Sequence, residues 1–174
     1  MKAEHLFVVL LATGGFTACT TATKNMAPGA THGKEAQDRF YPPNPEASRV
    51  VSITNAGTVK ASILVQTHRA AVKETGPKET VASFGEVYAF SPNFIAIHRE
   101  ELTQIRFWNL QPDDQHSFML VDPQMQVLMN LLLPPLEETS LVLTFHKEGL
   151  FTFYCTMHQP GMAGQILVLP PGGP

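Results

Sequence analysis

From about Arg49 onward, the apolar positions fall into short runs bounded by turn residues, and none of them sustains a helical stripe. Val50 to Thr54 is followed by Asn55-Ala56-Gly57 and then by Val59 to Gln66, a pattern that predicts a hairpin. Further runs cover Glu86–Phe90, Phe94–His98, Thr103–Asn109, Ser117–Val121, Val127–Leu133, Ser140–His146, Leu150–Cys155 and Gln165–Leu169. Several alternate strictly. Leu141, Leu143 and Phe145 share a face against Val142, Thr144 and His146, while Phe151, Phe153 and Cys155 oppose Thr152 and Tyr154. Lys73 to Lys78, with Gly76-Pro77 inside it, reads as a charged break. Many short strands at close spacing, with Pro and Gly at their ends, predict an all-β sandwich or barrel. Met125 to Leu133 is continuously apolar and suits a buried strand, a short helix or an exposed docking surface equally well.

The pattern upstream is different. Met1-Lys2 is basic, and the apolar run Leu6 to Ala12, continued through Gly14-Gly15-Phe16, is too short to span a bilayer but has the length of a secretory signal. It ends at Phe16-Thr17-Ala18-Cys19, which is similar to the lipobox of bacterial lipoproteins, although Phe16 stands where that motif prefers an aliphatic. The alternative is an ordinary cleaved signal with Cys19 incidental. Both predict export, to the periplasm or to a membrane anchor facing it. Residues 20–47 lack apolar periodicity and end in Pro42-Pro43-Asn44-Pro45, as a tether would. The expected organisation is a signal segment over 1–19, a flexible linker over 20–47 and one folded domain over 48–174.

Composition narrows the picture mainly by exclusion. Among 174 residues, 44% are hydrophobic and 16% charged, enough apolar material for a core. The 12 Lys and Arg are scattered and the net charge is -3, which excludes the basic stripe that nucleic-acid binding needs. A monomer is expected.

The chemistry concentrates in Cys155-Thr156-Met157-His158-Gln159-Pro160-Gly161-Met162. A thiolate is a soft, strongly donating ligand, imidazole is intermediate, and a thioether is soft and weak. Two His and one Cys in a plane with a distant axial Met suit copper cycling between Cu(I) and Cu(II). Cys-x2-His puts two donors on one turn, and Pro160-Gly161 folds Met162 back toward the same ion. The second imidazole comes from Asp113-Asp114-Gln115-His116, at the start of a strand. After export Cys155 has no disulfide partner within the chain, and a free thiol in an oxidising compartment is liable to oxidation, so metal ligation accounts for it better than packing. Among the other His, His32, His68, His98 and His146 read as solvated. Met157 reads as a shield or apolar rim, and Met119, Met125 and Met129 as core fillers.

Ala89-Phe90-Ser91-Pro92-Asn93-Phe94-Ile95, Ile105-Arg106-Phe107-Trp108-Asn109, His116-Ser117-Phe118 and Phe151-Thr152-Phe153-Tyr154-Cys155 together resemble the cupredoxin family. The likeness is to its small periplasmic members and to the copper domains of oxidase subunit II and nitrous oxide reductase. It runs from roughly Glu86 to Leu169. It implies a Greek-key β-sandwich, one mononuclear copper held by His116, Cys155, His158 and Met162, and outer-sphere electron transfer. His98-Arg99-Glu100-Glu101 departs from the Gly-Asp turn common in the family, and the Met spacing varies among its members, some of which place a carboxylate at the axial position.

Electron carriage is therefore the leading function, with a redox partner docking near His158 on a surface built from Pro160, Met162 and part of Met125 to Leu133. Copper sequestration or delivery is the alternative. An enzyme is least favoured: a binuclear electron-entry site needs two loop Cys, a trinuclear centre needs His-x-His pairs, and neither is present. A red-copper site with an open position, or zinc bound by Cys and His with no use for Met162, completes the set.

Overall fold

Alternating strands with one apolar face can bury that face only against a second sheet, and two sheets form here. A computed structural model describes residues 40–41 and 45–172; the signal segment, Cys19 and most of the expected linker lie outside the described residues. The strands are β1 (Phe40–Tyr41), β2 (Val51–Ile53), β3 (Ala61–Ala71), β4 (Val87–Ser91), β5 (Phe94–His98), β6 (Thr103–Asn109), β7 (His116–Val121), β8 (Val127–Leu133), β9 (Glu138–Phe145), β10 (Gly149–Tyr154) and β11 (Ala163–Leu169). One six-stranded sheet runs β1-β8-β7-β10-β11-β5 and one five-stranded sheet runs β2-β9-β6-β3-β4, giving a Greek-key β-sandwich. Within the stretch read as linker, Phe40–Tyr41 pairs with Leu131 and Asn130 of β8.

The core sits between the sheets. Phe107 of β6 meets Phe118 of β7 at 4.6 Å between ring centroids, and Phe153 of β10 meets both Phe118 and Phe90 at 5.1 and 5.3 Å. Each such buried side chain contributes roughly 1.5–3 kcal/mol by leaving water. β8 resolves the ambiguous apolar run as a strand, with Leu128, Met129, Leu131 and Leu133 in the core. Among the apolar side chains of that stretch only Met125, in the turn before the strand, is strongly exposed.

The expected hairpin does not form. β2 pairs with β9, and β3 pairs in parallel with β6 and antiparallel with β4. A hairpin forecast rests on local turn residues, whereas these partners are distant in sequence. The charged break leads into a short helix, α1 (Lys78–Phe84), that buries none of its residues and ends at Gly85 with a positive φ of 75°. His146 is also less free than its strand position suggests. Its Nε2 lies 2.8 Å from Ser52 Oγ and its Nδ1 2.9 Å from Glu100 Oε2, so it ties the edge strand β2 to the turn after β5.

Strand direction decides where chemistry collects. β3, β6, β8 and β10 end, and β4, β7, β9 and β11 begin, at one end of the sandwich, as their antiparallel and parallel registers require. The loops 72–86, 110–115, 134–137 and 155–162 therefore gather there. The turn that carries Met125 joins β7 to β8 at the opposite end.

Candidate metal centre

Period two places the donors. On β10, Phe151 and Phe153 face the core, and Cys155 continues that face one step past the strand end. On β11, Ile166 and Val168 face inward, and Met162 lies on the same side just before the strand. Cys155 and Met162 are the next opposed pair beyond Tyr154 and Ala163, and the Cys155 N–H donates to Met162 O at 2.9 Å. The Met162 N–H donates to His158 O at 3.0 Å, and Gln159 Nε2 donates to Cys155 O at 3.0 Å, which closes the loop on itself. Close approach is needed beneath it. A Cβ at Gly164 would lie 2.3 Å from Phe153 Cζ and 2.4 Å from Asn93 O, so only glycine fits.

Three of the four sequence-derived residues converge as a donor set. His116 Nδ1 lies 3.0 Å from His158 Nδ1 and 4.0 Å from Cys155 Sγ, and Cys155 Sγ lies 3.5 Å from His158 Nδ1. A point equidistant from atoms spaced 3.0, 3.5 and 4.0 Å lies inside the triangle, about 2.1 Å from each. A first-row ion such as Zn2+ holds imidazole nitrogen and thiolate sulfur at roughly 2.0–2.3 Å. The residues fit one metal ion. Met162 is fully buried and its backbone is fastened to both Cys155 and His158.

His116 and Cys155 are also fully buried, whereas His158 keeps part of its ring toward solvent. Burial, with the neighbouring His158 ring, pushes His116 down to about 4 from an ordinary 6.5. Burial lowers His158 as well, partly opposed by Asp114 and Glu86. Both rings are therefore neutral at physiological pH and present lone pairs for a metal. Around Cys155 Sγ, the Ser117 N–H approaches to 3.4 Å, and Ser117 Oγ accepts from the Thr156 N–H at 2.9 Å, linking β7 to the loop.

Two site residues, Tyr88 and Gln111, were not singled out by the sequence reading. Tyr88 packs its ring against both imidazoles, 5.1 Å from His116 and 4.4 Å from His158 between centroids. Its hydroxyl donates to Asp114 Oδ2 at 2.5 Å, and burial with that carboxylate raises its pKa, so it stays a phenol. Gln111 Oε1 lies 2.9 Å from His116 Nε2. The alternation of β4 identifies Tyr88 as inward-facing, but a loop glutamine beside Pro112 carries no periodic signal at all.

The surface differs from the expected one in two respects. Met162 is interior because it faces the core beside Cys155, and Met125 is at the far end of β7. What surrounds the exposed edge of His158 is a cleft of about 230 Å3 lined by Thr80 and Phe84 of α1, Glu86, Val87 and Pro160. Phe84 is 69% exposed and Met157, between the two loop donors, is 47% exposed.

No family model and no curated protein sequence matches the chain. Solved structures do. A copper nitrite reductase from Nitrosomonas europaea aligns with a TM-score of 0.50 and 12% identity, over 66% of this chain and 50% of its own. Auracyanin B aligns with a TM-score of 0.48 and 16% identity over 70% of this chain and 99% of its own. Auracyanin A from Chloroflexus aurantiacus, a "blue" copper protein, gives 0.44 and 17% over 62% and 98%. The chain has a cupredoxin-like fold.

Proposed function

We propose that this protein is an exported mononuclear copper protein that carries electrons, holding its ion through His116, Cys155 and His158 with Met162 as axial ligand. The observation that carries this reading is the triangle of two Nδ1 atoms and one Sγ, with a buried methionine fastened to the same loop. A thiolate, two imidazoles and a weak thioether form a donor set suited to copper rather than to zinc, which gains nothing from the methionine. Copper bound there would supply a one-electron couple.

The chain's own residues favour transfer over catalysis. Cys155 sits at a strand end and Met162 at a strand start in one continuous hairpin, so the loop resists rearrangement between oxidation states. His116, Cys155 and Met162 are sealed from solvent, so no buried donor is open to a substrate. His158 alone reaches the surface, where Phe84, Met157 and Pro160 offer an apolar approach for a redox partner. Among the described residues no helix is long and apolar enough to cross a membrane.

The test is to mix the reduced, copper-loaded protein with an oxidised one-electron acceptor and with a copper-binding acceptor. Electron carriage predicts rapid oxidation with copper retained. Copper leaving to the second acceptor while no electron passes to the first would favour delivery instead.

A further inference from the structure

Three polar side chains are sealed beneath His116: Thr67 of β3, Asn109 at the end of β6, and Gln111 in the following loop are each at most 4% exposed. Buried polar groups of this kind must satisfy one another, and the directions of their hydrogen bonds can be read in turn. The Gln111 amide nitrogen donates to Thr67 O at 3.2 Å, which turns Oε1 the other way. There Oε1 faces His116 Nε2 at 2.9 Å and the Thr67 hydroxyl. The Gln111 backbone is held at both ends, its N–H donating to Asn109 Oδ1 at 3.1 Å and its carbonyl accepting the Leu136 N–H at 3.1 Å. Asn109 Nδ2 donates to Asp114 O at 2.7 Å and to Leu133 O at 3.0 Å, fixing the loop that leads into His116.

An amide oxygen only accepts. The proton of the neutral His116 ring therefore sits on Nε2, leaving Nδ1 bare, and Nδ1 is the atom that faces His158 and Cys155. With no acceptor opposite Nε2, the proton would be free to occupy Nδ1 and block that position. We infer that Gln111 is a positioning residue that locks His116 in the Nε2–H tautomer and in its rotamer before any metal arrives. This rests on the copper reading for its purpose but not for its geometry. Partners of this kind fix ring orientation, and their loss typically weakens metal binding by roughly 10–100-fold.

The experiment is a long-range 1H–15N correlation spectrum of the 15N-labelled full chain without metal at neutral pH, with Cu(I) affinity measured in parallel. The wild-type chain should show His116 solely as the Nε2–H tautomer. Gln111→Glu keeps an acceptor opposite Nε2 and should keep that pattern. Gln111→Leu removes it and should give a mixture of tautomers and Cu(I) binding weaker by roughly 10–100-fold. Nδ1–H signal in the wild-type chain overturns the inference without any variant, as does a Gln111→Leu chain with the wild-type pattern and unchanged affinity. If the tautomer responds as expected but no form binds Cu(I), the lock stands and the copper reading falls.

Discussion

Acidifying the metal-free protein should unfold it earlier than its carboxylates alone would dictate, because His116 is buried as a neutral ring. Its folded value is held at about 4 against an ordinary 6.5, chiefly by burial and secondarily by the adjacent His158. Between those two values the unfolded chain binds a proton that the folded chain refuses, so stability falls as the pH drops through this window. At one pKa unit per 1.36 kcal/mol, the displacement from 6.5 to about 4 corresponds to a loss of up to about 3 kcal/mol. His158 is displaced in the same direction and adds to the fall. For a chain of this size that amounts to roughly 6–12 °C in Tm. Chemical denaturation of the metal-free protein at intervals from pH 7 to pH 4 measures it, and His116→Asn isolates the contribution, since the variant should lose that share of the slope. Equal stability of the wild-type protein at pH 6.5 and pH 4.5 would refute the reasoning. So would a His116 ring that titrates near its ordinary value.

Other perturbations test other parts of the account. Gly164→Ala forces a methyl against Phe153 and against the Asn93 carbonyl, which cannot swing aside, and should cost about 1–3 kcal/mol in urea denaturation. Met162→Ala empties a fully buried position and should cost about 2–5 kcal/mol, with a changed Cu(II) spectrum if its sulfur is the axial donor. Phe84→Asp alters only an exposed side chain of α1, so stability should stay within about 0.5 kcal/mol. Electron exchange with a partner should nevertheless slow by roughly tenfold, read by stopped-flow, because a charge now sits at the approach to His158.

The strands were legible because period two is a local property. Phe94–His98 and Thr103–Asn109 carry the same limits in sequence and structure, and the alternation around Cys155 already put that thiol on the face of Phe151 and Phe153, whereas the continuously apolar Val127–Leu133 became a strand only in the structure. Pairing is not local. Nothing near Val59 announces that β3 will lie parallel to β6, so the Asn55-Ala56-Gly57 turn suggested a hairpin that distant partners displaced. α1 was missed for a related reason: a seven-residue helix that buries no side chain leaves no apolar stripe to detect. At the site, Cys155, His158 and Met162 share one short loop and their spacing is itself the signal. His116 was reached through the chemistry of the donor set, which lacked a second imidazole. Gln111 and Tyr88 act through contacts made only after folding, one under an imidazole and the other across two of them.

The central claim is that Cys155 and two imidazoles hold one copper ion, and the optical and EPR spectra of the Cu(II)-loaded protein test it most directly. The account predicts an intense visible thiolate-to-copper charge-transfer band in the wild-type protein and its loss in Cys155→Ser. A colourless Cu(II)-loaded protein, or a band that survives Cys155→Ser, would contradict it.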